Sequence, residues 1–247
     1  MSARRKRTNS TTRRQNFDTR SSLTTGTKPM RVAALLPPSF HKEDNMNTEN
    51  IIDIAINFND PEWILKHITI ALQRTSDADF VKRPCDLEGI EQYLIVRGEQ
   101  DDACYSAKVT SALLSNAGID EDTAWEKALE NLCADTQIKS LGKILSEMTG
   151  VPSECAEAST IKFHVITNSQ KCKGASAIMN REMLRDFTQN CRTNMLFVIP
   201  SSIHEMMIAP YDSRFKLEEL SAMVKEINET QVAPEERLTD RAYILSL

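Results

Sequence analysis

The stretch VIPSSIHEMMIAP (Val198–Pro210) sets two serines, a histidine and a glutamate among apolar residues. These residue types suit two hydrolytic chemistries. A serine hydrolase would use Ser201 or Ser202 as nucleophile with His204 as base, whereas a zinc hydrolase would start from His204–Glu205. The zinc reading lacks a second histidine four residues on, which a helical H-E-x-x-H site needs to bring two ligands to one face. Beyond residue 45 only His67 and His164 are left as distant ligands. The serine reading lacks G-x-S-x-G, and no glycine flanks either serine to permit a sharp nucleophile elbow. On a strand, Ser202 and His204 share a face, so contact between them stays open. The competing reading is a turn at Pro200–Ser201–Ser202 whose hydroxyls bond nearby backbone. His204 and Glu205 would then alternate between faces at the start of the next strand, with a ligand pocket at the bend as a further alternative.

A second polar run, ETQVAPEERLTD (229–240), carries Glu229, Glu235, Glu236 and Asp240. Four acids so close together suit a cation, and equally a solvated loop in which Pro234 starts a turn. Thr230 and Gln231 are candidate strand-edge hydrogen-bonding groups for a peptide partner. The chain has no phosphate loop, dinucleotide fingerprint or kinase signature. Its six cysteines (Cys85, Cys104, Cys133, Cys155, Cys172, Cys191) form no C-x-x-C pair or Cys/His cluster. Reduced packing thiols are therefore expected, and no metal or cofactor is called for.

Helices and strands must position these residues. In DPEWILKHITIAL, Asp60 is an N-cap with Pro61 in the first turn, and Trp63, Ile64, His67, Ile68, Ala71 and Leu72 recur at helical spacing. Asp120 caps a second helix with Ala124, Trp125, Ala128, Leu129 and Leu132 on one face. TQIKSLGKILSEMTG places Ile138, Leu141, Leu145 and Met148 on a stripe that Gly150 and Pro152 end. REMLRDFTQNC reads as a short helix, and SRFKLEELSAMVKEIN as another with Leu217, Leu220, Met223, Val224 and Ile227. Strands are expected at 92–98, 163–168, 174–179, 195–200, 203–209 and 242–247. Adjacent strands with short links favour antiparallel pairing, hence an α+β fold with a mixed, mainly antiparallel sheet and flanking helices. The parts expected are a disordered basic tail 1–45, a helix-rich 46–150 and an α+β 151–247 that carries the motifs.

Charge separates the tail from the rest. Residues 1–45 hold ten Lys/Arg and three Asp/Glu, a balance of +7, against −12 for residues 46–247. Such a polar, basic segment cannot bury enough surface to offset its ordering entropy. One reading is an arm for nucleic acid, whose phosphates Lys/Arg neutralise. The other is translated leader, because the codons of Lys42–Glu43–Asp44 can spell the ribosome-binding sequence AAG-GAG-GAT just before Met46. No apolar run approaches the ~20 residues that span a bilayer, and none makes a signal-peptide core. A cytoplasmic location with no membrane partner is the expectation.

The C-terminal third carries three ordered motifs. They are Gly174–Ala175; Pro200–Ser201–Ser202 with His204–Glu205; and Asn228, Thr230–Gln231–Val232, Pro234–Glu235–Glu236, Leu238–Thr239–Asp240 and Tyr243. In this order they resemble the uncharacterised bacterial family known as Domain of Unknown Function 5688. Lys173 departs from the aromatic usual in that family before the glycine, and DRAY departs from its tighter final spacing. The resemblance implies a candidate surface, made of Gly174, Ser201, Ser202, His204, Glu205, Thr230, Gln231, Glu235, Glu236 and Asp240, and no activity. Two functional classes follow: a non-catalytic binding or regulatory protein for an unknown protein or small ligand, and a hydrolase-type enzyme using Ser202, His204 and Glu205. N-terminal sequencing of the native protein is expected to begin at Met46; a peptide from upstream of it would contradict the leader reading.

Overall fold

The computed structural model of the chain describes residues 30–31, 58–100, 103–150 and 162–247. Apart from Met30–Arg31, the basic tail expected over 1–45 lies outside the described residues.

Helix α1 (Pro61–His67) begins as the sequence predicts, with the Asp60 carboxylate accepting from the Glu62 N–H at 3.0 Å. It stops at His67 rather than running to Leu72, and the chain continues directly as strand β2 (Ile68–Arg74). The run Ile68-Thr69-Ile70 is β-branched, stiff at χ1 and better suited to a pleated surface. As a strand it places Ile68, Ile70 and Leu72 together on one buried face. Asn131, from a later helix, secures the switch by donating to the Leu65 and Ile68 carbonyls at 3.0 and 2.8 Å.

With β1 (Met30–Arg31), β3 (Lys82–Pro84), β4 (Ile90–Gln100) and β5 (Ala103–Lys108), β2 forms a five-stranded sheet in the order β1-β5-β4-β2, with β3 also pairing β4. Its pairings are antiparallel except the short β1–β5 bridge. Helices α2 (Ser111–Ala117) and α3 (Glu121–Asp135) follow. The Asp120 cap and the inward Ala124, Trp125, Ala128 and Leu132 are as expected, and they pack on Ile68, Ile70, Leu94 and Val96. Leu129, expected on that face, is instead exposed. The part expected to be helix-rich also carries this sheet, of which the strand expected at 92–98 is the middle of β4.

The expected helix over TQIKSLGKILSEMTG divides in the same way. Strand β6 (Thr136–Ser140) takes Ile138, and α4 (Leu141–Thr149) starts behind Ser140, whose hydroxyl accepts from the Lys143 N–H at 3.1 Å. Then come β7 (His164–Asn168), a 3₁₀ turn (Gly174–Met179), α5 (Arg181–Asn190), β8 (Met195–Pro200) and β9 (Met206–Pro210). Helix α6 (Leu217–Thr230), a short 3₁₀ turn (Pro234–Glu236) and β10 (Tyr243–Ser246) complete the chain. The second sheet is antiparallel throughout, in the order β10-β8-β9-β7-β6. The protein is thus α+β, with two mainly antiparallel sheets.

Two expectations in this half need correction. Residues 174–179 are not a strand but a 3₁₀ turn, entered from Lys173 with a left-handed φ of 51° and closed by the Asn180 N–H donating to the Ala177 carbonyl at 3.0 Å. The strand expected at 203–209 starts only at Met206, because residues 203–205 form a bend. On α6, Leu220 and Val224 pack inward, while Met223 and Ile227 are exposed.

The second sheet is apolar on both faces, which explains the continuous apolar run of β8. One face, with Ile166, Leu196, Val198, Met206 and Ile208, packs on Ala175, Ala177 and Ile178 of the 3₁₀ turn and on Leu72, Leu87 and Ile90 from the first half. The other, with Phe197, Ile199 and Ala209, is covered by Leu220 and Val224 of α6. The 3₁₀ turn therefore sits where the two halves share a core.

One buried charge is built into the first sheet. Glu91 is only 5% exposed and accepts from Gln73 Nε2 (2.7 Å), Ser76 Oγ (2.9 Å) and the Ser76 N–H (3.2 Å), with Lys82 Nζ at 3.3 Å. Burial pushes its carboxyl up, but these donors outweigh burial and hold it below its ordinary 4.5. A lowered folded value stabilises the protein above the unfolded value and is lost as pH falls through the folded one. The stability gap between wild type and Glu91→Gln, measured by denaturant unfolding, is expected to be largest at neutral pH and to shrink below pH 4.5. A gap independent of pH would contradict this assignment.

Candidate functional site

The candidate site is assembled from the end of β7, the loop after it, the bend between β8 and β9, and the turn Pro234–Glu236. Asn168, at the last position of β7, closes the loop by gripping Cys172 on both sides. Its Oδ1 accepts the Cys172 N–H at 3.1 Å, and its Nδ2 donates to the Cys172 carbonyl at 2.8 Å. Lys171 and Lys173 both take left-handed backbone angles, with φ of 52° and 51°. Asp135, at the end of α3, fixes the start of the loop by accepting the Ser169 N–H at 3.2 Å while pairing with Arg97 at 2.6 Å. The chain thereby turns sharply and enters the 3₁₀ turn at Gly174.

Gly174 lies against two backbones. A Cβ there would overlap Thr167 Oγ1 and sit 2.7 Å from the Asn168 nitrogen and 2.8 Å from the His204 carbonyl oxygen. The glycine is required by close approach. Through that approach the bend 201–205 is laced to the turn: Thr167 Oγ1 donates to the His204 carbonyl at 2.8 Å, and the Ala175 N–H donates to the Ile203 carbonyl at 3.3 Å.

The bend is organised by its own polar residues. Ser202 Oγ accepts the His204 backbone N–H at 3.0 Å, and the Ser202 N–H donates to the Glu205 carbonyl at 3.3 Å. The Ile203 N–H donates to the Glu236 carbonyl at 2.8 Å, joining the bend to the short turn. His204 is committed at both ring nitrogens. Nδ1 accepts the Lys173 N–H at 3.2 Å, and Nε2 faces Glu236 Oε1 at 3.5 Å. This pattern assigns the neutral ring a proton on Nε2. A base for Ser202 needs a ring lone pair aimed at the hydroxyl, and the free lone pair here takes a backbone amide instead.

Of the residues singled out in the sequence, Gly174, Ser202, His204 and Glu236 come together. Ser201 lies beside them with its Oγ buried and without a hydrogen-bond partner. Glu205 shares the bend through its backbone only. Glu235 is exposed, and Thr230 and Gln231 close the end of α6, where the Thr230 hydroxyl donates to the Glu226 carbonyl at 2.8 Å. Asp240 belongs to a different cluster, accepting from buried Asn228 at 2.8 Å and pairing with Arg74 at 3.2 Å. Thr167, Asn168 and Arg74 had no signal in the sequence, because ordinary polar residues at strand ends reveal a role only through what folds onto them.

Other chemistries gain no support. Among the described residues no three His, Cys, Asp or Glu side chains gather as a metal site would require. Burial pushes the thiols of Cys85, Cys133 and Cys191 above their ordinary value, away from nucleophile behaviour. No described helix is long and apolar enough to cross a membrane.

The model of the family of unknown function DUF5688 matches residues 86–246. The chain belongs to that family. No curated protein and no solved structure matches the chain.

Gly174→Ala forces a methyl group into backbone atoms that cannot move independently, and overpacking of this kind costs about 1–3 kcal/mol or more. A clear fall in melting temperature is expected, and an unchanged melting temperature would show that the close approach is not a constraint.

Proposed function

We propose that this member of the DUF5688 family is a non-catalytic binding or regulatory module of the cytoplasm, with its Gly174–Ser202–His204–Glu236 cluster serving as a structural clasp. The observation that carries this reading is the commitment of His204, whose Nδ1 takes the Lys173 N–H while Ser202 Oγ takes the backbone N–H of His204 itself. The Ser202 hydroxyl and the His204 ring, the nucleophile and base of the hydrolase reading, are both engaged in holding the bend. A clasp of this kind supports a fixed surface rather than a reacting centre, and a protein or small ligand is the proposed partner. Nucleic acid enters only through a native basic segment 1–45.

The enzyme alternative, using Ser202, His204 and Glu205, makes the opposite demand. It needs an imidazole lone pair free to take the serine hydroxyl proton, whereas Nδ1 of His204 accepts the Lys173 N–H. A fluorophosphonate probe separates the two. The expected result is no labelling of the native protein, together with a melting temperature lowered in Ser202→Ala and His204→Ala by the loss of about 1–2 kcal/mol for each anchoring hydrogen bond. Labelling that disappears in Ser202→Ala would overturn the proposal in favour of the hydrolase.

A further inference from the structure

Away from the clasp, the end of the β2–β4 ladder meets the segment leading into β10, forming a shallow cleft of about 450 Å³. Arg74, Thr75 and Gly89 line one side, and Leu238, Thr239, Asp240 and Arg241 the other. Thr75 and Gly89 are tied together by the Thr75 N–H donating to the Gly89 carbonyl at 3.1 Å, and Gly89 takes a φ of 84° to make the turn. Tyr243 anchors the residue before that glycine, its hydroxyl donating to the Glu88 carbonyl at 2.6 Å.

Two arginines line this cleft from opposite walls, and the carboxylates they pair with are held differently. Arg74 pairs with Asp240, whose Oδ1 is also bound at 2.8 Å by Asn228 Nδ2; the same amide donates to the Thr239 carbonyl at 2.8 Å. Asn228 is 2% exposed, so a buried amide fixes Asp240, the carboxylate with which Arg74 makes a half-exposed pair. Arg241 pairs at 2.7 Å with Glu88, whose side chain is 82% exposed. An exposed pair of this kind contributes little and exchanges readily. Each guanidinium has five N–H donors, and each spends one on its carboxylate, leaving the cleft rich in donors. Thr75 adds a hydroxyl.

We propose that this cleft binds the oxyanion of a small ligand, a phosphate or carboxylate group, with Arg74, paired to the anchored Asp240, as one donor and Arg241 as the one that exchanges Glu88 for the ligand. This rests on the binding-module reading and names its ligand class. Planar guanidinium forks match both oxyanions in paired hydrogen bonds, and such charge-assisted bonds are the stronger ones. Glu88 then acts as a competitor that keeps the empty cleft neutral.

The test is titration of the full chain with inorganic phosphate, and separately with malonate, followed by thermal shift and calorimetry at constant ionic strength. Saturable binding of either anion is expected, and which one binds identifies the oxyanion. Arg74→Gln and Arg241→Gln should each weaken it by about tenfold or more, the loss expected for a hydrogen bond to a charged group. Glu88→Gln, by removing the competitor, should tighten it by up to about fivefold. Absence of saturable binding for both anions, or binding unchanged in the double arginine variant, would overturn the proposal. In that event, the lack of fluorophosphonate labelling still supports a binding module, whereas labelling overturns that reading whatever the titration gives.

Discussion

The absence of a side chain at Gly174 is the constraint on which the shared core depends. Because the backbone there can press against Thr167, Asn168 and the carbonyl of His204, the 3₁₀ turn lies flush on the second sheet. That placement turns Ala175, Ala177 and Ile178 toward Leu72, Leu87 and Ile90 of the first half. A side chain at this position would lift the turn from the sheet and open the seam between the halves, and interiors packed to crystal-like density do not absorb such a shift cheaply. The left-handed Lys171 and Lys173 and the Asn168 grip on Cys172 deliver the glycine to this contact at the required angle.

The same contact decides the chemistry of the bend. Once the Thr167 hydroxyl and the Lys173 amide are directed at His204, one to its carbonyl and one to its ring, the imidazole ceases to be a free base. Ser202 is drawn in by the backbone N–H of that histidine. Polar residues that look reactive in a linear sequence are here the means by which an irregular segment satisfies its buried donors and acceptors. The cleft at Arg74 and Arg241 shows the contrasting arrangement, in which charged donors remain in excess of their partners.

Much of the architecture was legible in the chain because local signals and tertiary packing agreed. Asp60 and Asp120 capped their helices, Gly150 ended α4 with a φ of 72°, and the strand Met195–Pro200 fell where its apolar run predicted. The misreadings share one cause. Ile68–Leu72 and Thr136–Ser140 have apolar residues whose spacing suits helix as well as strand, and the decision between them was made by non-local partners: β4 for the first, and β7 for the second. GASAIM read as strand because small apolar residues carry no period strong enough to separate strand from a tight buried turn. Within the candidate surface, Gly174, Ser202, His204 and Glu236 could be named in advance, but their convergence could not, since it depends on a loop closed by Asn168 and on a turn distant in sequence. Asp240 was named for the same surface and belongs to another, because its partners Asn228 and Arg74 are brought to it only by the packing of α6 and the first sheet.

The central claim is that the ring of His204 is spent on the backbone, and nitrogen-15 NMR of the imidazole reads it directly. At a pH where the ring is neutral, the account predicts the Nε2–H tautomer, with Nδ1 accepting a hydrogen bond detectable as a coupling to the Lys173 amide. An Nδ1–H tautomer, or an Nδ1 lone pair with no coupling to Lys173, would contradict it and return His204 to the candidates for a catalytic base.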